Sequence, residues 1–276
     1  MRSFSSGEIS GIVNGRLSGP PARMINHVII DSRRFTDPEG AVFVALRGER
    51  NDGHAYLTEL FNRGLRCFIV EEIPDSIDFA GASFITVDNS LAALQQFAAS
   101  IRTAFEGEVI AVTGSNGKTI IKEWLYQSLN RQLPIVRSPL SYNSQVGVPL
   151  SLFLLDRTYR MAVVEAGISL PGEMARLEKM IRPDTGIFSN IGQAHQENFD
   201  SPDDRVAEKM KLFVHCRKLI YCKDHHNIHR HASSLPAGVK RITWSAIEIA
   251  DYMVSHKTDG SASSISIEGL FTCRFT

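Results

Sequence analysis

The sequence predicts an α/β protein: a small N-terminal α/β domain, then a second domain on a mostly parallel, doubly wound sheet. Three observations predict it. Short apolar runs of strand length recur along the chain, separated by amphipathic stretches of helical period. One run, "VIAV" at 109–112, leads directly into a glycine-containing loop and a helix, "TGSNGKTIIKEW". Hydrophobic residues make up 43% of the 276 positions and charged residues 22%, the balance of a globular chain with a sizeable core.

The elements follow in order. "HVIIDSRR" reads as a strand ending at a polar turn, and "GAVFVALRG" as a second strand. "AYLTELFNRG" reads as a helix stopped by Gly64, and "RCFIVEE" as a third strand. "NSLAALQQFAASIRTAF" sets Leu91, Leu94, Ala98 and Ile101 on one helical face, with Asn89 or Ser90 as its cap. The short polar "EGE" at 106–108 marks a domain boundary, giving domains 1–105 and 106–276. In the second domain "VIAV" is a buried parallel strand. "GKTIIKEWLYQSLN" sets Ile120, Ile121, Trp124, Leu125 and Leu129 on one helical face. "MAVVEAG" and "TGIFSNIG" are two further buried strands, separated by the helical "GEMARLEKMI". This rhythm places a site at the C-terminal ends of the strands. From Asp251 the alternation and Gly/Ser turns predict antiparallel strands.

Charge and composition remove several classes. Lysine plus arginine and aspartate plus glutamate number 30 each, which points to no nucleic-acid partner. No apolar run approaches the roughly 18 residues of a membrane span, so membrane insertion is not expected. "MRSFSSGEISGIVNG" has no signal-peptide pattern, and Cys67, Cys216, Cys222 and Cys273 are scattered, so a cytoplasmic protein with reduced thiols is expected.

The loop carries the chemistry. A buried strand, a tight turn exposing N–H groups and a following helix N-terminus are what a phosphate site requires. Thr113, Gly114, Ser115, Asn116, Gly117, Lys118 and Thr119 supply the turn, and Asn190 ends a neighbouring strand. The glycines permit close backbone approach, Lys118 brings positive charge, and the Thr119 hydroxyl suits Mg²⁺. The usual G-x-x-x-x-G-K-[ST] pattern, however, needs glycine where Val112 stands. Glu165 ends the strand best placed beside the loop, where a buried carboxylate needs a partner or a metal. Asn143 (in a Gly/Pro loop), His195 and Lys209 (in a helical stretch) have ordinary readings as turn, surface and solvated residues. Spacing takes these three no further.

The text itself is then recognisable. "TGSNGKT" resembles the nucleotide loop of the Mur ligases, ATP-dependent amide-forming enzymes of peptidoglycan precursor synthesis, whose shortened G-x-x-G-K-[ST] accounts for Val112. "YNSQVGVPLSL", "VVEAGIS", "PGEMARL", "RPDTGIFSNIGQAHQENF" and "AEKMKLF" match in order, and "DSRRFTDPEGAVFVALRGERNDGHAYL" resembles the domain that holds the UDP end of the substrate. The resemblance implies two Mg²⁺ sites and a set of roles. Lys118 would contact phosphate, Thr119 and Glu165 would ligate metal, and His195 would help bind the second ion. Asn143 would lie near the transferring phosphate, and Lys209 would be carbamylated by CO₂ and hold metal through the carbamate. Asp31, Ser32, Arg33, Asn51, Asp52 and Gly53 would contact the uridine diphosphate.

"EAGIS" and "GQAHQENF" favour the member adding D-Ala-D-Ala to UDP-N-acetylmuramoyl-tripeptide over the one adding the third amino acid. The family's C-terminal domain has no counterpart here, so the resemblance implies a fragment: an N-terminal UDP-substrate domain and most of the ATPase domain. Such a fragment would either belong to an active ligase or act only as a nucleotide and UDP-substrate binding module. Some bacteria fuse this ligase to an alanine racemase, and a fused full-length chain is one expectation. A competing zinc reading rests on "HCRKLIYCKDHHNIHRH", which lacks a C-x₂-C pair and an H-x₃-H register. A folylpolyglutamate-type ligase shares the loop chemistry but not the UDP-handling domain.

Overall fold

The computed structural model describes residues 2–34, 37–48, 51–74, 79–192, 198–259, 262–268 and 270–275. Strand β1 (Phe4–Ser5) leads into helix α1 (Ser6–Ile12), which opens with a reciprocal cap. The Ser5 hydroxyl accepts from the Glu8 N–H, and the Glu8 carboxylate accepts from the Ser5 N–H at 2.7 Å. Strands β2 (Arg16–Ser18), β3 (Met24–Ile25), β4 (His27–Ile29) and β5 (Ala41–Val44) follow. Then come helix α2 (Leu57–Asn62), strands β6 (Cys67–Val70) and β7 (Ser83–Thr86), and helix α3 (Ser90–Ala104).

The next stretch runs β8 (Glu108–Thr113), α4 (Lys118–Leu129), β9 (Ile135–Arg137), α5 (Gly147–Leu152), β10 (Met161–Glu165), α6 (Glu173–Ile181), β11 (Thr185–Phe188) and α7 (Pro202–Met210). It ends with β12 (Lys218–Cys222), α8 (His226–Ser233), β13 (Lys240–Ser245), β14 (Tyr252–Asp259), β15 (Ala262–Ile267) and β16 (Phe271–Phe275).

These elements form two compact units, Met1–Glu106 with Gln145–Thr158, and Gly107–Ser144 with Tyr159–Thr276. The first unit holds a five-stranded sheet in the order β2-β7-β6-β5-β4, parallel from β4 to β7 with β2 antiparallel at the edge. β5 and β6 are buried at every position, as parallel strands covered on both faces require. Ile29, Phe43, Leu57, Leu60, Phe68 and Phe84 pack on this sheet, with the Phe68 and Phe84 rings stacked at 5.0 Å. Asn89 caps α3 by accepting from the Ala92 N–H at 2.7 Å. Of the face expected for α3, Leu94, Ala98 and Ile101 are buried and Leu91 is half-buried; Phe97, which the expected face omits, is fully buried.

The second unit is a nine-stranded sheet ordered β16-β15-β14-β13-β12-β11-β8-β10-β9. Strands β8 to β13 are parallel, and β14 joins β13 in parallel before the antiparallel β14-β15-β16 meander. β8 lies at the point where successive crossovers reverse direction, with β10 on one side and β11 on the other. That is the switch point at which doubly wound sheets open a crevice. Val112 pairs with Glu165 and Thr113 with Phe188, so three strand ends emerge together.

The face expected for α4 needs correction. Ile121, Leu125 and Leu129 pack against Ile110, Val112, Ile135 and Val163, but Ile120 and Trp124 are 55% and 66% exposed. Lys122 is the fully buried residue of that helix.

Candidate active site

The loop after β8 is shaped by its neighbours as much as by its own glycines. The Thr113 hydroxyl donates to the Ala166 carbonyl at 2.8 Å, tying the strand end to the chain leaving β10. Gly114 turns at φ 143°, and a Cβ there would lie 1.9 Å from the Ser189 hydroxyl oxygen. Gly117, at φ 79°, begins α4 without any side-chain cap. The end of β11 holds the segment between them. The Ser115 N–H donates to the Asn190 carbonyl (2.9 Å), the Asn116 N–H to Asn190 Oδ1 (3.1 Å), and the Ser189 hydroxyl to the Asn116 carbonyl (2.7 Å). The outcome is a tight turn at the head of a 12-residue helix, whose dipole and terminal N–H groups favour an anion.

Lys118 folds over this turn, donating to the carbonyls of Gly114 at 2.8 Å and Ser115 at 3.2 Å. Burial lowers its pKa, and the Glu165 carboxylate acts in the opposite sense. The Ser115 hydroxyl is buried without a hydrogen-bond partner, the kind of orphan that a ligand oxygen satisfies.

Glu165, the last residue of β10, is 1% exposed. Its Oε2 accepts from the Thr119 hydroxyl at 2.9 Å and its Oε1 from the Asn143 amide at 2.7 Å. Its N–H donates to the Ser138 hydroxyl at 3.1 Å. Thr119, Asn143 and Glu165, more than 20 residues apart from one to the next, thus form one cluster beside Lys118. A carboxylate at this depth requires such partners. The Thr119 and Glu165 oxygens fit Mg²⁺, a hard cation that takes one or two protein oxygens and completes its shell with phosphate and water. Among the described residues, no group of three or more His, Cys, Asp or Glu side chains could hold a metal ion.

Lys209 occupies the last turn of α7 and is 5% exposed, contrary to the solvated lysine its helical context suggests. Burial, then the positive charges of Lys118 and Arg205, lower its pKa to about 8. Arg205 is itself buried and donates to the Gly192 carbonyl at 2.7 Å. A buried lysine whose proton is disfavoured by burial and by the charges of Lys118 and Arg205 has a large neutral fraction near pH 8, the state that reacts with CO₂. His195 lies outside the described residues.

The residues expected at the UDP end lie at the C-terminal ends of neighbouring strands in the first unit. After β4, the Asp31 carboxylate receives the Arg33 guanidinium at 2.8 and 2.9 Å, and Ser32 is buried. After β5, Asp52 accepts from the His54 N–H at 2.9 Å and pairs with Arg47 at 3.1 Å. Gly53 passes so close to Ala45 that a Cβ would lie 2.8 Å from its Cα. Asn51 is exposed. The Asp31 carboxylate, hydrogen-bonded to the Arg33 guanidinium, raises the Arg33 pKa.

Residues 112–272 match the family model described as the Mur ligase middle domain. The chain belongs to the Mur ligase family. It is 30% identical over 222 residues to the UDP-N-acetylmuramoyl-tripeptide--D-alanyl-D-alanine ligase of Bacillus subtilis, covering 78% of this chain and 48% of that protein. It is 32% identical over 213 residues to the ligase of the same name from Escherichia coli, covering 77% and 46%. This Mur ligase chain therefore spans about half the length of the curated relatives it matches. Its fold is that of MurF from Acinetobacter baumannii, with a TM-score of 0.87 over 99% of this chain and 60% of that one, at 24% identity. It is also similar to MurF ligase from Thermotoga maritima in complex with ADP, with a TM-score of 0.79 over 90% and 58%, at 26% identity.

Several residues packed around this candidate site escape a reading of the sequence. Ser138 and Ser189 look like ordinary loop serines, and Arg205 like a solvated helix residue. Lys122 left a trace: it falls one position after Ile121 and three before Leu125, on the core-facing stripe. The segment read for zinc is structural instead. Cys216 and Cys222 are buried with thiol pKa values raised by burial, and His229 accepts or donates a 2.8 Å bond with the Tyr221 hydroxyl.

Proposed function

We propose that this chain is the UDP-substrate- and ATP-binding part of a cytoplasmic, ADP-forming ligase that joins D-Ala-D-Ala to UDP-N-acetylmuramoyl-tripeptide. The observation that carries the proposal is the Thr119–Glu165–Asn143 cluster beside Lys118 at the loop after β8. The named relatives support the choice of acceptor and amine. In the proposed reaction the tripeptide's terminal carboxylate oxygen attacks the γ-phosphorus of ATP, the bond to the β-phosphate oxygen breaks, and ADP leaves. The amine of D-Ala-D-Ala then attacks the acyl phosphate carbon, and inorganic phosphate departs as the amide forms and a proton is lost.

Lys118 and the N-terminus of α4 beginning at Gly117 would hold the phosphates, with charge neutralisation and alignment as the protein's main contribution. Thr119 and Glu165 would hold the first Mg²⁺, which supplies charge stabilisation on the phosphoryl oxygens. Lys209 as its carbamate and His195 would hold the second. The neutral amine favoured at Lys209 supports carbamylation, since a carbamate oxygen suits Mg²⁺ where an ammonium would repel it. Residues 1–105, through Asp31, Ser32, Arg33, Asn51, Asp52 and Gly53, would bind the UDP end, and 106–276 the ATP. A fused alanine racemase has no support among the relatives and forms no part of the proposal.

The test is an ADP-release assay on the full-length protein with MgATP, the UDP-tripeptide and D-Ala-D-Ala, beside calorimetry with the UDP-tripeptide. Coupled ADP release and product formation are expected, falling about a hundredfold or more in Lys118→Ala. Near-normal turnover in that variant sinks the assignment of Lys118. Binding of the UDP-tripeptide without any turnover would instead make the protein a binding module.

A further inference from the structure

Lys122 is the residue on α4 that the proposed reaction leaves without a role. It lies on the core-facing side of the helix and is 0% exposed. A buried ammonium is tolerated only with partners, and it has three. It donates to the Leu140 carbonyl, lies 3.3 Å from Glu123 Oε1, and lies 3.9 Å from Glu165 Oε2. Glu123 is also held by Arg137 at 2.8 Å, so the contact peculiar to Lys122 is the one with Leu140.

Leu140 has an uncommon backbone. It is the second residue of a turn closed by the Tyr142 N–H donating to the Pro139 carbonyl at 3.0 Å, with φ 45°. A positive φ at that position favours glycine or asparagine over leucine. The side chain is 73% exposed, so packing gives little in return for that conformation. The turn delivers Asn143, whose amide reaches Glu165 Oε1 and whose carbonyl accepts from the Gly167 N–H at 2.8 Å. Strain held in place beside a functional carboxylate calls for a group that fixes it, and the Lys122 ammonium is in contact with both.

We propose that Lys122 is a positioning residue of the carboxylate site: by clamping the left-handed turn at Leu140 it sets Asn143 and Glu165 for Mg²⁺. The inference rests on the nucleotide-site reading above, and its experiment separates the two. ADP binding to the chain is measured by calorimetry with Mg²⁺ and with EDTA, and the ratio of the two dissociation constants is the readout. Lys122→Met is expected to shrink the Mg²⁺-dependent gain by about 10-fold or more, the usual effect of removing a group that orients a metal ligand. Binding in EDTA should stay near that of the unsubstituted chain. A purely structural lesion would weaken both arms alike and leave the ratio intact.

Leu140→Pro decides the matter if Lys122→Met fails to fold. Proline fixes φ near −65° and excludes this left-handed turn in favour of one of the opposite hand, yet position 140 is exposed and outside the core. It should cause the same selective loss. A ratio unchanged in the folded variants overturns the proposal for Lys122 while the nucleotide site stands. An unsubstituted chain with no Mg²⁺-dependent ADP binding overturns the nucleotide-site reading, and this inference with it.

Discussion

At the scale of the residue, Lys209 shows how burial changes the charge balance of an ordinary side chain. Its pKa falls from 10.5 to about 8 through burial and the neighbouring charges of Lys118 and Arg205. The folded state therefore binds its proton more weakly than the unfolded chain. Stability must rise as pH climbs from about 8 towards 10.5, and below about 8 the full penalty of a buried charge is present. A drop of this size corresponds to about 3 kcal/mol. With CO₂ excluded, so that the side chain is the free amine, Lys209→Met should accordingly stabilise the chain by up to about 3 kcal/mol at pH 7, and the gain should shrink towards zero near pH 10.5. Urea unfolding at pH 7 and pH 9.5 checks this; a gain independent of pH would mean that packing, not charge, limits the site.

At the scale of the element, the strand–loop–helix of β8 and α4 depends on the strand beside it. The sequence pattern gives the glycines a reason, but the ends of β10 and β11 supply the hydrogen bonds that hold the turn. Gly114→Ala meets two obstacles, an unfavourable φ of 143° and a Cβ 1.9 Å from the Ser189 hydroxyl oxygen. The expected cost is about 2–3 kcal/mol in urea unfolding, with loss of ADP binding. Removing the hydroxyl in Gly114→Ala/Ser189→Ala should recover only part of it, because the backbone strain persists. Complete recovery would show that the contact alone matters. The misplaced face of α4 belongs to this scale too. A period of 3.6 residues accommodates both Ile121–Leu125–Leu129 and Ile120–Trp124, and only the position of β8, β9 and β10 beneath the helix chooses between them.

At the scale of the whole molecule, sequence order and packing part company. Gln145–Thr158 follows the nucleotide loop and its helix in the chain, yet it belongs to the unit formed by the N-terminal residues. Phe153 carries that attachment, with its ring 5.1 Å from Phe97 on α3, which in turn meets Phe4 at 5.2 Å. Phe153→Ala should destabilise the first unit by about 3–5 kcal/mol, the usual effect of emptying an aromatic core position. Hydrogen exchange would locate the damage in α1, α3 and the β2–β7 sheet. Loosening confined to β8–β13 would show that Phe153 serves the other unit.

The sequence by itself determined the class of fold, strands β4, β5, β6, β8, β10 and β11, the antiparallel character of the segment from Asp251, and the loop residues. Strands β2, β7, β9, β12 and β13, short or without a clear apolar run, went unread. Apolar runs and helical periods report burial directly, and glycine, lysine and threonine at fixed spacing answer the local demands of a phosphate. It also singled out Glu165, a carboxylate at the end of a buried strand. Only the tertiary structure decided what surrounds these residues. That Asn143 and Thr119 bracket Glu165, that Lys122 is buried under the turn at Leu140, and that Lys209 lies among cations are consequences of strand register and helix docking. Their separations in sequence carry no period, because contacts across a doubly wound sheet are set by which strand ends lie side by side.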